Sequence, residues 1–243
     1  MKDNSLIIIP TYNEAENIIV VINMIFSLDD RHSILVVDDN SPDGTSNVVS
    51  NLKKEYKDKL FLITRKKKDG LGSAYRLGFK WAMEKNFNYI FEMDADLSHD
   101  PKEIKKLKSL LVNRECDVAI GSRYLEGVGV VNWPLTRIFL SYFANIYVRL
   151  ITCMPVKDST SGFVGYSIEA LSSLDINKIK FNGYAFQIEM KFKLWKKKFK
   201  LKEHQIIFVN RVLGDSKMNK NIIFEAIIGV IKLKLNSILK KNE

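Results

Sequence analysis

The sequence predicts an α/β fold, a mostly parallel sheet flanked by helices on both faces, and three observations lead to it. Short apolar runs alternate with helix-length amphipathic segments through the first half of the chain. Clusters of Asp, Asn, Ser, Pro and Gly follow the apolar runs. At 243 residues and 46% hydrophobic composition, the chain can bury one large core. Such alternation implies right-handed crossovers between parallel strands.

The elements follow in order. A strand is expected at 5–9, a helix at 14–27, a strand at 33–37, a helix at 45–55, a strand at 60–64, a helix at 73–85 and a strand at 89–93. Asp100-Pro101-Lys102-Glu103 then opens a helix, because Asp can cap it, Pro fits a first turn and Glu103 lies three residues on. A strand at 118–121 completes the alternating part. Beyond it the pattern predicts strands at 161–166 and 205–209, with helices at 167–174 and 184–197 between them. No internal repeat or low-complexity linker divides the chain, so one domain spanning 1–243 is expected.

The net charge is +10, but residues 1–190 are balanced and the whole excess lies in 191–243. Seven lysines fall within Lys191 to Lys202, which reads as the solvated face of a helix and the strand entry after it. A basic tail suits anionic lipid, a phosphorylated substrate or nucleic acid, and composition does not choose among them. Cys116 and Cys153 sit among apolar residues and are expected to be reduced and buried. The first strand begins at Ser5, which leaves no room for a signal peptide, and Arg149 and Pro155 spoil the longest apolar run as a membrane span.

In a parallel sheet, ligands bind beyond the carboxyl ends of the strands. Those ends carry Pro10-Thr11-Tyr12-Asn13-Glu14, Asp38-Asp39-Asn40-Ser41-Pro42-Asp43-Gly44-Thr45, Asp94-Ala95-Asp96 and Ser122-Arg123. Asp94 and Asp96 stand at i and i+2, so an extended backbone would put both carboxylates on one side, roughly 7 Å apart at Cα. Hard oxygen donors so placed suit Mg²⁺ or Mn²⁺, and a nucleoside diphosphate could bridge to the metal while Asp39 holds base or ribose hydroxyls. Gly70-Leu71-Gly72-Ser73-Ala74 lacks the third glycine and the following acid of a dinucleotide-binding turn. No Walker-type loop and no zinc-spaced Cys/His set is present.

These segments, together with Leu97-Ser98-His99, Gly121-Ser122-Arg123-Tyr124, Asp158-Ser159-Thr160-Ser161-Gly162-Phe163, Gly183-Tyr184-Ala185-Phe186-Gln187-Ile188-Glu189 and Arg211-Val212-Leu213-Gly214-Asp215-Ser216-Lys217, resemble the dolichyl-phosphate (polyprenyl-phosphate) mannose synthases of glycosyltransferase family 2. The resemblance runs in order along nearly the whole chain. It implies a GT-A fold and inverting transfer of mannose from GDP-mannose to a polyprenyl or dolichyl phosphate. It also implies that Pro10, Tyr12, Glu14, Val37 and Asp39 contact the nucleotide, that Asp94 and Ala95 contact the sugar nucleotide, and that Asp96 binds the metal. Arg123, Arg211 and Lys217 would reach phosphates, while Arg137 and Ser141 match positions that approach the acceptor phosphate with Arg123. Some relatives carry Gln at Ser98, so this residue would reach the metal through water. Asp96, Arg123 and Arg137 are then the expected catalytic residues, with residues 1–122 the donor half and 123–243 the acceptor and membrane-facing half. A phosphate acceptor is already an anion, so no general base is expected and His99 is not assigned one.

Arg137, Ser141, Asn145 and Arg149 recur every four residues on an otherwise apolar helix over 136–152, a pattern expected of an interfacial helix with its polar stripe turned to the active site. Residues 221–239 repeat the theme beside Lys232, Lys234, Lys240 and Lys241, and would dock on anionic membrane, on a small membrane partner subunit or on the domain itself. Peripheral attachment to the cytoplasmic face of a membrane is the expectation, with no nucleic-acid partner. The alternatives are a family 2 transferase that uses UDP-glucose or a polysaccharide acceptor, and a non-catalytic basic membrane-binding protein.

Overall fold

In the computed structural model, residues 4–28, 31–210 and 220–239 are described. The strands are β1 (Ser5–Thr11), β2 (His32–Asp38), β3 (Leu60–Thr64), β4 (Tyr89–Glu92), β5 (Val118–Ser122), β6 (Val130–Val131), β7 (Val164–Ser167), β8 (Leu201–Gln205) and β9 (Phe208–Val209). The helices are α1 (Ala15–Leu28), α2 (Thr45–Tyr56), α3 (Leu71–Glu84), α4 (Glu103–Val112), α5 (Leu135–Thr152), α6 (Ile168–Ser172), α7 (Tyr184–Lys196) and α8 (Lys220–Leu239). Seven strands form one sheet in the order β3-β2-β1-β4-β7-β5-β8, and β6 pairs with β9 in a short separate ribbon. Every pairing in the large sheet is parallel except those of β7, which runs antiparallel to both β4 and β5.

Alternation along β1 shows why its run is apolar throughout. Leu6 and Ile8 enter a core with Phe79 of α3 and Phe186 of α7, whereas Ile7 and Ile9 enter a second core with Ile18 of α1 and Leu107 of α4. Both faces are covered, so neither set of side chains can be polar. The strands therefore end abruptly in polar loops along one edge.

Several elements differ from the sequence reading. The expected strand at 161–166 begins later, at Val164, because Ser161 turns its hydroxyl to Gly121 O (2.6 Å) instead of pairing as a strand residue. The expected strand at 205–209 divides into β8 and β9, and β8 occupies an edge of the large sheet. Its polar sequence, Leu-Lys-Glu-His-Gln, hid it, because an edge strand can spend side chains on neighbouring loops. Glu203 accepts from the backbone N–H groups of Lys157 and Asp158, and Gln205 accepts from that of Glu126. Asp100 accepts from Lys102 N (2.9 Å), and α4 starts after that turn rather than at Pro101.

The lysine run is also corrected. Lys196, Lys197, Lys198 and Lys200 are exposed, but Lys191 is fully buried on α7. Burial drives the Lys191 ammonium down to about 8, with Glu92 opposing the shift. Cys116 is buried as expected, whereas Cys153, which ends α5 with a left-handed backbone (φ 59°), is exposed.

Candidate active site

The loop after β2 is built around two carboxylates that only organise the chain. Asp38, fully buried, accepts from Thr11 Oγ1 (2.8 Å), Ser41 N (2.9 Å), Ser41 Oγ (2.6 Å) and Ser46 Oγ (2.7 Å). Asp43 accepts from the N–H and hydroxyl of Thr45 and from Ala15 N, so it ties the start of α2 to the start of α1. Gly44 lies between them at φ 85°, a left-handed conformation that glycine adopts at little cost. These contacts fix Asp39 and Tyr12 at the rim.

Asp39 is nearly buried and is salt-bridged to Arg65. Burial raises the Asp39 carboxyl and Arg65 lowers it, with a net rise above the ordinary value. Arg65 itself is held by Ser73 Oγ (2.8 Å) and Gly70 O (3.2 Å). Lys68 stands 4.1 Å from the centre of the Tyr12 ring. The glycine pair rejected as a dinucleotide turn therefore anchors Arg65 and seats the loop before α7. A Cβ on Gly72 would lie 2.6 Å from Phe181 O. Arg65 was missed by the sequence reading because it opens a run of basic residues. Its one signal was its place directly after β3.

Of the other expected donor contacts, Glu14 is largely buried and accepts from Asn17 Nδ2 (2.9 Å), while Pro10 is half-buried at the end of β1. Val37 has its side chain in the core, so only its main chain is available to a ligand.

β4 ends at Glu92, so Asp94, Ala95 and Asp96 lie in a bend rather than in the expected strand end, and Leu97 has φ 60°. Asp96 is braced by Ser98 N (3.1 Å), and Ser98 is almost completely buried. Asp94 is more open, its side chain 36% exposed. His99 accepts from Asp94 N (3.4 Å), stacks on Phe163 (4.9 Å between centroids) and meets Phe208 edge-on. Burial pushes its imidazole down to about 4, against the pull of Asp96. At neutral pH His99 is therefore an uncharged wedge under the loop. Among the described residues no group of three or more His, Cys, Asp or Glu gathers to hold a metal unaided. The carboxylates suit a hard cation that completes its shell from a diphosphate and water.

The opposite wall is the 158–163 loop. Asp158 takes Arg123 in a fork, from Nε (2.7 Å) and Nη2 (2.6 Å), and also accepts from Arg123 N (2.9 Å). Burial raises the Asp158 carboxyl, but Arg123 outweighs it and the net pKa is lowered. Thr160 Oγ1 accepts from Arg123 Nη2 (2.8 Å). Asn145 on α5 clamps the same loop by accepting from Ser159 N (2.8 Å) and Ser159 Oγ (2.8 Å). Asp158 and Asn145 were visible in the sequence only as members of motifs, not as the holders of Arg123.

Arg137 lies over the Trp133 ring (3.9 Å) and donates to Asn210 Oδ1 (3.0 Å). Arg123, Arg137, Ser141 and Thr160 converge on a cavity of about 300 Å³ whose remaining walls are mostly apolar, including Leu140, Phe143, Ala144, Ile188, Ile227 and Val230. The cavity runs between α5 and α8, which Tyr147 joins by donating to Ile227 O (3.0 Å). The polar stripe of α5 thus lines the cavity with Arg137 and Ser141 and clamps the 158–163 loop with Asn145. Arg149 departs from that expectation: it is exposed and lines a separate cleft with Tyr142 and Lys157. Arg211 and Lys217 lie outside the described residues.

A polar sheet edge, a carboxylate loop and an arginine-lined apolar cavity thus sit on a mostly parallel sheet of the GT-A type. The glycosyl transferase family 2 model matches residues 6–175, and the chain belongs to that family. It is 39% identical over 226 residues to the polyprenol monophosphomannose synthase of Mycolicibacterium smegmatis, covering 93% of this chain and 85% of that protein. It is 37% identical over 227 residues to the undecaprenyl-phosphate mannosyltransferase of Micrococcus luteus, covering 93% and 92%. Among solved structures, the fold resembles a glucosyl-3-phosphoglycerate synthase from Mycobacterium tuberculosis bound to Mn²⁺ and UDP-glucose (TM-score 0.67, 17% identity, 96% and 78% covered). It also resembles a Pyrobaculum calidifontis mannosyltransferase bound to GDP-Man and Mn²⁺ (TM-score 0.62, 14% identity, 98% and 74% covered).

Proposed function

We propose that this chain transfers mannose from GDP-mannose to the phosphate of a polyprenyl or dolichyl monophosphate, with inversion at the anomeric carbon. The observation that carries this reading is the mostly apolar cavity between α5 and α8 that Arg123, Arg137 and Ser141 also line. A long isoprenoid needs the apolar walls, and its phosphate needs the cations. Both curated relatives bear names of enzymes that mannosylate a polyprenyl phosphate.

In this reading residues 1–122 hold the donor and 123–243 the acceptor. Tyr12 and Asp39 face the nucleoside, with Pro10, Glu14 and the main chain of Val37 beside them. Asp94, Ala95 and Asp96 face the diphosphate and sugar, and Arg211 and Lys217 contribute further cations. Asp94 and Asp96 would hold Mg²⁺ or Mn²⁺, with Ser98 acting through water; when bound, the cation neutralises charge on the departing diphosphate. Arg137 and Ser141 orient the acceptor phosphate, and Arg123, itself fixed by Asp158, adds positive charge. A phosphate oxygen attacks the anomeric carbon as the bond to the GDP oxygen breaks, and the electron pair leaves with GDP. The nucleophile is already anionic, so alignment and electrostatics replace a general base.

The same reading places the enzyme peripherally on the cytoplasmic face of a membrane. None of the described helices is long and apolar enough to cross a membrane. Leu135, Phe139, Phe143 and Leu150 of α5, with Ile231 and Leu235 of α8, are exposed, and such apolar helix surface is suited to lipid or to a small membrane subunit. The test is incubation of the purified chain with a short polyprenyl phosphate and Mn²⁺, supplying radiolabelled GDP-mannose or UDP-glucose in parallel. Label should enter the organic phase from GDP-mannose; label from UDP-glucose alone would replace the donor.

A further inference from the structure

Lys191 is the only lysine of the 191–202 run that is fully buried, and its surroundings are specific. Its Nζ donates to Ser161 O (2.8 Å), to Gln187 Oε1 (3.2 Å) and more weakly to Gln187 O (3.4 Å). Gln187 Nε2 in turn donates to Glu92 Oε2 (2.7 Å), and Glu92 is also fully buried, at the end of β4 and two residues before Asp94. A chain of hydrogen bonds therefore runs from the 158–163 loop through α7 to β4.

Both ends of this chain touch the site. Ser161, whose carbonyl takes the lysine, donates its hydroxyl to Gly121 O (2.6 Å), two residues before Arg123. The next residue, Gly162, adjoins the carboxylate loop: a Cβ there would make ordinary contact, 3.9 Å, with each carboxylate oxygen of Asp94 and with Gln187 Nε2. Asp158, which fixes Arg123, begins the same loop.

Burying an ammonium is unfavourable by several kcal/mol before compensation, and the nearby Glu92 carboxyl, which burial pushes up to about 8, is mostly uncharged at neutral pH. Met190, Phe192 and Leu194 beside it on α7 are apolar and buried, while Gln187, one turn earlier, takes the Lys191 ammonium.

We propose that Lys191 is a positioning residue that holds the 158–163 loop, and with it Arg123, in register with Asp94 on the donor side. The proposal rests on the functional reading above, in which Asp94 faces the donor and Arg123 the acceptor. Lys191 and Gln187 touch neither substrate. Their role is to set the alignment of acceptor oxygen and anomeric carbon, where a displacement of about 1 Å can lower turnover by about 100-fold.

The test compares the full chain with Lys191→Met and the double variant Glu92→Gln/Lys191→Met. Four quantities are measured: GDP affinity in Mn²⁺ by calorimetry, kcat with saturating polyprenyl phosphate, thermal stability, and hydrogen exchange of 158–163. In Lys191→Met, Ser161 O and Gln187 Oε1 lose their donor while buried, so stability falls. The double variant places a neutral isostere at Glu92, so recovery there would trace the loss to the carboxylate rather than to the loop. The proposal expects both variants to keep GDP affinity within about threefold, to lose about 30-fold or more in kcat, and to exchange faster at 158–163.

Recovery of kcat together with stability in the double variant would reduce Lys191 to a structural ion and overturn the proposal. Unchanged loop exchange in that variant would do the same. Should Lys191→Met fail to fold, the double variant carries the test. Should the wild-type chain transfer no sugar, the functional reading fails separately, and loop exchange in the double variant still decides whether Lys191 holds the loop.

Discussion

Asp96, His99 and Arg137 bear three separable loads. Asp96, braced by Ser98 N, is assigned to the metal and diphosphate. Asp96→Ala should abolish metal-dependent turnover, by about 10³-fold or more, while circular dichroism and unfolding stay near wild type. Unchanged turnover would remove the proposed metal site. Arg137 is assigned to the acceptor, so Arg137→Ala should raise KM for polyprenyl phosphate or lower kcat by about 10–100-fold with GDP affinity intact. A selective loss of GDP affinity would contradict its placement. His99 gives a pH signature. Its folded-state pKa of about 4 lies below the unfolded value, so its contribution to stability is complete above about pH 6.5 and is lost as pH falls from there toward 4. The loss is on the order of 2–3 kcal/mol. His99→Gln should flatten the decline in melting temperature over that window, and an identical decline in the variant would show that other groups govern it. Residue-level legibility was uneven. Asp94, Asp96 and Arg123 announced themselves by following apolar strands, whereas Arg65 and Lys191 were concealed within basic runs that resemble ordinary solvated surface.

At the scale of elements, β1 to β4 and the helices between them were readable because strands buried on both faces need continuous apolar runs. β8 was not, because an edge strand may be polar, and its side chains hold Asp158, Lys157 and Glu126 rather than a core. The bend that carries Asp94 and Asp96 was also unreadable, since i and i+2 spacing fits a strand and a loop equally. Helix α5 was legible as a polar stripe on an apolar cylinder, and its outer residues Phe139 and Phe143 remain 59% and 60% exposed. Phe139→Ser/Leu150→Ser, at two exposed residues outside the cavity wall, should weaken partition onto anionic vesicles by about tenfold or more, since each buried Phe or Leu is worth about 1.5–3 kcal/mol. Turnover of a short, water-soluble polyprenyl phosphate should change little. Equal vesicle binding by the variant would assign membrane attachment to another surface.

At the scale of the whole molecule, one sheet carries both halves of the site. β1, β2 and β4 deliver the loop assigned to the nucleotide and the carboxylates, while β5 and the 158–163 loop before β7 deliver Arg123 and its support. Helices α5 and α8 then add the apolar cavity, which no strand pattern could foretell because it depends on how two distant segments pack. In the proposed function this arrangement takes an acceptor that is apolar along its length and anionic at its end. The most direct test offers labelled GDP-mannose and Mn²⁺ to the purified chain with a polyprenyl phosphate or with the corresponding polyprenol of the same length. Metal-dependent label should enter lipid only when the phosphate is present; equal transfer to the free alcohol would contradict the assignment of Arg123, Arg137 and Ser141 to an acceptor phosphate.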